Sequence, residues 1–465
     1  MVKKFIGTKE FYKKLVVLML PIMIQNGISN FVNMLDNIMI GAVGTAQMTG
    51  VAITNQLIFI FNLCIFGAVS GAGIFGAQFF GNEDYEGVRH TFRFKVIFGG
   101  GISILAIGVF FFFGEFFLKM YMQGEQGVTD AAQTLGFARD YLKIMLIGLL
   151  PFALVQCYSS TLREGGRPNL PMYAGVIAVI VNLVFNYILI FGKFGAPALG
   201  VNGAAIATVI SRFVELMIIA LCSHLNTDKF PFMRGILKSL YLPRKLAFKL
   251  FIKGLPLMLN ETLWAMGIAI VNQCYSMKGL DAVAAVNISQ TFWNVFSIAY
   301  MAVGGAIGII LGQMLGANKL KEAKEDSYKM ITFSFAISLL VAIVYAFCAE
   351  YIPMVYNTGE EIRHLATRLM QLTAISMPFD ALAHASYFAM RSGGKMMTTF
   401  IFDCGFTWCG NVAIAFILTR FTAIPFLYLF AIMQGIAIIK AFVGIIFIRS
   451  GFWVKNIIEE QKTEV

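Results

Sequence analysis

PIMIQNGISN at 21–30 opens a stretch that ends IFGAQFFG at 74–81, and PLMLNETLWA at 256–265 opens a second that ends IILGQMLG at 309–316. Pro21 and Pro256, Asn37 and Asn272, Gln78 and Gln313, and Gly81 and Gly316 are each 235 residues apart. A constant offset held over some sixty residues marks an internal duplication rather than chance. Further on, LREGGRP at 162–168 echoes MRSGGKM at 390–396, with Arg163, Gly165 and Gly166 lying 228 residues before Arg391, Gly393 and Gly394. The chain is therefore two copies of one unit.

Composition says what kind of unit. Of 465 residues 58% are hydrophobic and only 13% charged, against roughly 45–50% and about 25% in soluble domains. One membrane-spanning helix needs about 20 apolar residues. Apolar runs separated by short polar breaks give twelve predicted spans, starting near residues 15, 48, 94, 139, 169, 201, 247, 282, 327, 364, 397 and 426. A water-soluble enzyme, a disulfide-rich secreted module and a disordered chain are excluded.

Each repeat holds six spans. Six is even, so both repeats enter from the same side and run parallel, an arrangement that transporters use around a central cavity. The expected fold class is an all-α integral membrane protein, with twelve transmembrane helices in two pseudo-symmetric six-helix lobes. The expected boundaries are 1–222 for the N-terminal lobe, 223–254 for a basic linker and 255–465 for the C-terminal lobe.

Lys and Arg set the orientation. About 26 of the 36 fall on one side if the N-terminus is cytoplasmic, so both termini are expected on the cytoplasmic side of a cell membrane. The +11 formal charge lies in short inter-span segments and forms no continuous basic face, so nucleic acid is not an expected partner. Seven cysteines without CxxC spacing predict neither a disulfide frame nor a zinc site. The basic N-terminus is followed by an apolar stretch too long for a signal peptide and reads as a retained first helix.

Gly71-Ala-Gly-Ile-Phe-Gly76 matches GxGxxG but lies within an apolar span, and close helix packing is the better reading. No GxxxxGK with a following Ser or Thr, no HExxH and no GxSxG occurs. Neither an ATP-hydrolysing motor nor an enzyme is expected, and no cofactor beyond a coupling ion.

Ionised groups at lipid depth are costly, by about 2.5–3.5 kcal/mol on insertion scales, and mark function. Five acids lie within spans: Asp36, Glu215, Glu261, Asp380 and Asp403. At about 1.5 Å per residue, Glu261 is roughly 12 Å past Lys253 and Asp380 roughly 16 Å before Arg391. The two are expected to meet across one cavity and share a proton or bind a cation. His384, one turn from Asp380, is a possible companion or a packed neutral ring, and Asp403 is a second-rank candidate. Asp36 with Asn182, Asn186 and Thr208 makes a second candidate site for a hard cation or proton. Glu215 and Arg212 read as an ordinary ion pair. Arg212 and Lys440 are the basic residues left within spans.

These residues resemble the multidrug and toxic compound extrusion (MATE) transporters over nearly the whole chain. The likeness rests on Pro21, NMLDNIMIGAVG at 33–44, AQFFG at 77–81, LREGGRPNLPM at 162–172, NLVFNYILIFG at 182–192, GVNGAAIATVIS at 200–211 and MRSGGK at 390–395. The resemblance implies a V-shaped pair of lobes and extrusion of organic cations coupled to sodium or proton entry. It implies that Asp36, with Asn182 and Thr208, forms an N-terminal cation or proton site, where Asn186 departs from members carrying Asp. Glu261 and Asp380 match the acidic pair of the NorM-like branch, which favours sodium. Na+ candidates are thus Glu261, Asp380 and Asp36. The expected activity is antiport of amphipathic or cationic small molecules by a monomer in the bilayer. A flippase for lipid-linked sugars is the alternative; it should line its cavity with cationic residues, whereas the buried ionisable groups here are mostly acids. A channel fits two non-identical halves less well.

Overall fold

A computed structural model describes residues 5–122, 131–236, 238–356 and 358–459. Every regular element in them is helical: α1 (Lys9–Gly41), α2 (Thr45–Gly81), α3 (Tyr85–Met122), α4 (Ala131–Glu164), α5 (Asn169–Phe191), α6 (Val201–Leu225), α7 (Arg244–Ser276), α8 (Leu280–Phe296), α9 (Ile298–Gly316), α10 (Leu320–Cys348), α11 (Glu360–Ser392), α12 (Met396–Gly405), α13 (Ala413–Phe421) and α14 (Phe426–Ser450). In hydrocarbon only a helix or a closed barrel satisfies its own backbone, and these apolar runs take the first route. Phe111, Phe112, Phe113 and Phe116 of α3 all stand exposed, as lipid-facing side chains do.

Eleven of the spans in the described residues are long and apolar enough to cross a membrane. The twelve expected segments map onto the rods with two refinements. α8 and α9 form one segment interrupted at Ser297, and α12 and α13 are joined by a π-helical turn over Phe406–Val412. The 33-residue α11 is long enough yet falls outside the apolar set, because polar groups including Asp380 and His384 are spread along it. The basic linker is shorter than expected: the helical backbone of α7 begins at Arg244, within the 223–254 stretch.

The chain separates into two compact units, Met1–Met23, Ala77–Glu83 and Leu259–Val465 in one, Ile24–Gly76 and Asp84–Met258 in the other. They depart from the expected 1–222 and 255–465 division. Three changes of unit fall inside a helix, after Met23 in α1, after Gly76 in α2 and after Met258 in α7, and those in α1 and α7 come two residues past the repeat-related Pro21 and Pro256. Proline removes an N–H and clashes with the preceding turn, so each helix can bend there and its two parts can pack in different company. Leu15, Leu18, Met19 and Ile22 of α1 accordingly join the core made by α9, α11 and Trp453.

Within that first unit the two echoing segments found in the sequence touch. A Cβ on Gly81 would lie 1.9 Å from the Gln313 carbonyl oxygen, and one on Gly316 would lie 1.9 Å from that of Gln78. The Gln78 amide donates to the carbonyls of Ser392 (2.9 Å) and Lys455 (3.2 Å) and accepts from the Ile457 N–H (2.9 Å). Glycine is required because backbone meets backbone. In the second unit, a Cβ on Gly71 would lie 2.5 Å from the Gly254 Cα, and those on Gly73 and Gly76 would run into the Glu164 carboxylate. The glycine-rich motif in α2 is helix packing, as its sequence context suggested.

Candidate functional site

The second unit brings the four N-terminal candidates into one chain of contacts. Asn182 and Asn186 are one turn apart on α5 and so share a face. Asn186 Nδ2 donates to Asp36 Oδ1 of α1 at 2.6 Å and to Asn182 Oδ1 at 3.0 Å, and Asn182 Nδ2 donates to Thr208 Oγ1 of α6 at 3.3 Å. Both asparagines are buried and Asp36 is half-buried. Asn186 Oδ1 is buried and accepts no hydrogen bond, a condition rare enough in folded proteins to need a reason. Three helices thus direct a carboxylate, two amides and a hydroxyl to one spot.

Two basic residues of this unit make polar contacts of their own. Arg212 of α6 forms a salt bridge to Glu215 at 3.5 Å, as expected. Its guanidinium lies 4.8 Å over the Phe152 ring, and its charge also acts on Asp36. Arg163 donates to Gln25 at 2.5 Å. Nearby, the buried Lys95 ammonium bonds Glu164 (2.6 and 2.7 Å), Ser160 (3.2 Å) and Thr161 (3.1 Å), tying α3 to α4.

The first unit places the C-terminal candidates less simply. Among the described residues no hydrogen bond joins Glu261 to Asp380, the pair expected to share a site. Glu261 of α7 is buried near the charges of Arg391 and Asp403. Asp380 of α11 is buried near the charge of Lys440. His384 packs on Gly304 of α9 and on the Phe388 ring, 4.9 Å between centroids. The charges acting on it are Asp403, Lys440 and Arg391. Asp403, ranked second from sequence, is the best-connected acid: Lys440 Nζ lies 2.5 Å from its Oδ1 and Asn260 Nδ2 2.9 Å from its Oδ2. The described residues hold no cluster of three His, Cys, Asp or Glu able to hold a metal ion.

Lys440 is the residue that sequence reading left without a role. A signal was present: Arg212 and Lys440 are 228 apart, the offset that relates Arg163 to Arg391, and each is the basic residue within the last span of its repeat.

A duplicated bundle of membrane helices with ionisable groups among them is an architecture that membrane transporters use. The MatE family model matches residues 21–188 and 256–417, one match for each repeat. A protein of Thermotoga maritima described as "Probable multidrug resistance protein NorM" is 24% identical over 454 residues, covering 96% of this chain and 94% of its own. A mutant of the Vibrio cholerae MATE transporter VcmN superposes with a TM-score of 0.85 at 17% identity, over 96% of this chain and 98% of its own. A MOP superfamily transporter of Pyrococcus furiosus, described with a binding pocket of reverse polarity that suggests a different function, gives 0.82 at 19% identity over 97% of both chains. The chain belongs to the MatE family, as a NorM-like member: a multi-pass membrane transporter and not an enzyme.

Proposed function

We propose that this protein exports cationic or amphipathic small molecules across the cell membrane in exchange for Na+ or H+, by alternating access, as a monomer with both termini in the cytoplasm. The observation that carries the reading is the Asp36–Asn186–Asn182–Thr208 chain with its unbonded, buried Asn186 oxygen. Sodium favours oxygen ligands, as hard cations do, and here a carboxylate oxygen and an idle amide oxygen stand on neighbouring side chains. A proton on Asp36 would serve the same electrostatic end. Coupling requires that ion and cargo prefer different conformations, since a ligand with equal affinity for both states shifts nothing. Glu261 and Asp380 are proposed as acids that attract a cationic cargo in the other unit.

Proteoliposomes loaded with an ethidium-like dye test the proposal under sodium and proton gradients imposed separately. One gradient should accelerate dye movement, and Asp36→Asn should remove that acceleration while leaving folded protein in the membrane. Dye movement indifferent to both gradients, or undiminished in Asp36→Asn, would overturn it.

A further inference from the structure

The C-terminal unit contains a lysine where its acids would otherwise invite a free cation. Lys440 projects from the interior of α14, and both it and Asp403 are largely buried, at 22% and 16% side-chain exposure. Its ammonium lies 2.5 Å from Asp403 Oδ1 and 5.5 Å from the centroid of the Phe402 ring. An aromatic face is a second favourable partner for a cation. The remaining oxygen of Asp403 is occupied by the Asn260 amide at 2.9 Å, and the Asn260 carbonyl oxygen accepts from Cys404 Sγ at 3.3 Å. Both oxygens of Asp403 are thus hydrogen-bonded, one of them to a cation.

The same ammonium reaches further. It acts on Asp380 of α11 and on His384 one turn beyond it. α11 and α14 are cross-linked below this point, with Ser376 Oγ donating to Gln434 Oε1 at 2.7 Å and Gln434 Nε2 donating to Thr373 Oγ1 at 3.3 Å. The remaining charge-bearing groups around the cluster are Glu261 and Arg391, and Arg391 acts on Glu261. Three carboxylates are thus already faced by two side-chain cations. The π-helical turn at Phe406–Val412 follows directly on Asp403, Cys404 and Gly405; Thr407 Oγ1 donates back to the Asp403 carbonyl at 2.9 Å. Such wide turns recur at functional positions.

We propose that Lys440 is the resident cation of this unit: its ammonium stands in for sodium at Asp403 and Asp380, excludes sodium from them, and confines exchange of the coupling ion to the Asp36 cluster. A lysine suits this because it is a compact point charge on a flexible four-carbon stem. Arg212, at the equivalent offset, forms its salt bridge with Glu215 of its own helix at 3.5 Å, while the Asp36 carboxylate is bonded by the neutral Asn186 amide. The inference rests on the antiport reading above, but its test does not depend on dye movement.

Saturable 22Na+ binding to the purified full-length chain in nanodiscs is the measurement. With Lys440 intact, Asp36→Asn should reduce sodium binding to background, and adding Asp380→Asn should change nothing more. Lys440→Met in the Asp36→Asn background should create a saturable sodium site, lost again on adding Asp380→Asn, whereas Lys440→Arg should create none. Saturable binding in Asp36→Asn that Asp380→Asn abolishes would overturn the proposal. So would a folded, monodisperse Lys440→Met/Asp36→Asn protein without sodium binding. Should the Lys440→Met proteins fail to fold, the Lys440→Met/Asp403→Asn pair, which removes both charges together, carries the same expectation at Asp380. Failure of gradient-driven dye transport alongside these binding results would count against antiport and leave the role of Lys440 standing.

Discussion

Replacing Gly316 with alanine places a methyl carbon 1.9 Å from the Gln78 carbonyl oxygen. Real Cβ contacts do not fall below 3.0 Å, so the ends of α2 and α9 must part by about 1 Å. No flexible side chain is available to yield; the obstacle is main chain, itself held by the Gln78 hydrogen bonds to Ser392, Lys455 and Ile457. Overpacking of this kind costs about 1–3 kcal/mol, and the lack of a yielding side chain argues for the upper half of that range. Alanine's better helix propensity returns at most about 1 kcal/mol. Gly305 in the same helix is the control, since a Cβ there meets nothing within 4 Å. In thermal unfolding followed by intrinsic fluorescence in detergent, Gly316→Ala and Gly81→Ala should both melt below wild type, and Gly305→Ala at or above it. Because one separation relieves both clashes, the double variant should lose less than the two single losses combined. A Gly316→Ala protein as stable as wild type would refute the backbone contact.

The Lys95–Glu164 clamp yields a second expectation. Lys95→Met leaves a buried carboxylate without its cation and should cost about 3–5 kcal/mol, read as lost thermal stability and folded yield, while Lys95→Met/Glu164→Gln should recover most of it. Asn186→Asp sets a second carboxylate beside Asp36, and two such groups cannot both ionise cheaply. Dye efflux by that variant should follow a proton gradient, and unchanged gradient preference would count against the cluster. Thr208→Val removes the last hydroxyl of the chain; at about 0.5–1.5 kcal/mol for one hydrogen bond it should weaken ion dependence several-fold without abolishing efflux, measured as the ion concentration giving half-maximal rate.

Much of this protein is legible along the chain. Twelve apolar segments, the duplication and the grouping of Asp36, Asn182, Asn186 and Thr208 all follow from quantities local to the sequence: run length, a fixed offset, and the turn that puts Asn182 and Asn186 on one face. The acids were identifiable for the same reason, because an ionisable residue in a long apolar run is conspicuous wherever the run ends up. Pairing among them was not. Counting rise per residue set Glu261 and Asp380 at similar depth, but depth leaves the direction of each side chain around its helix open.

Asp403 received its partner from α14, 37 residues further on, and nothing periodic in either helix announces that contact. The division between the compact units was hidden likewise. Hydropathy sees α1 and α7 as continuous runs, while the bends allowed by Pro21 and Pro256 act through neighbours that only packing supplies. Sequence alone therefore determined that this is a duplicated helical membrane protein with charges held at lipid depth. Tertiary structure decided which of those acids meets neutral amides, as Asp36 does, and which meets a lysine, as Asp403 does, because such pairing depends on distances between helices rather than on order along any of them.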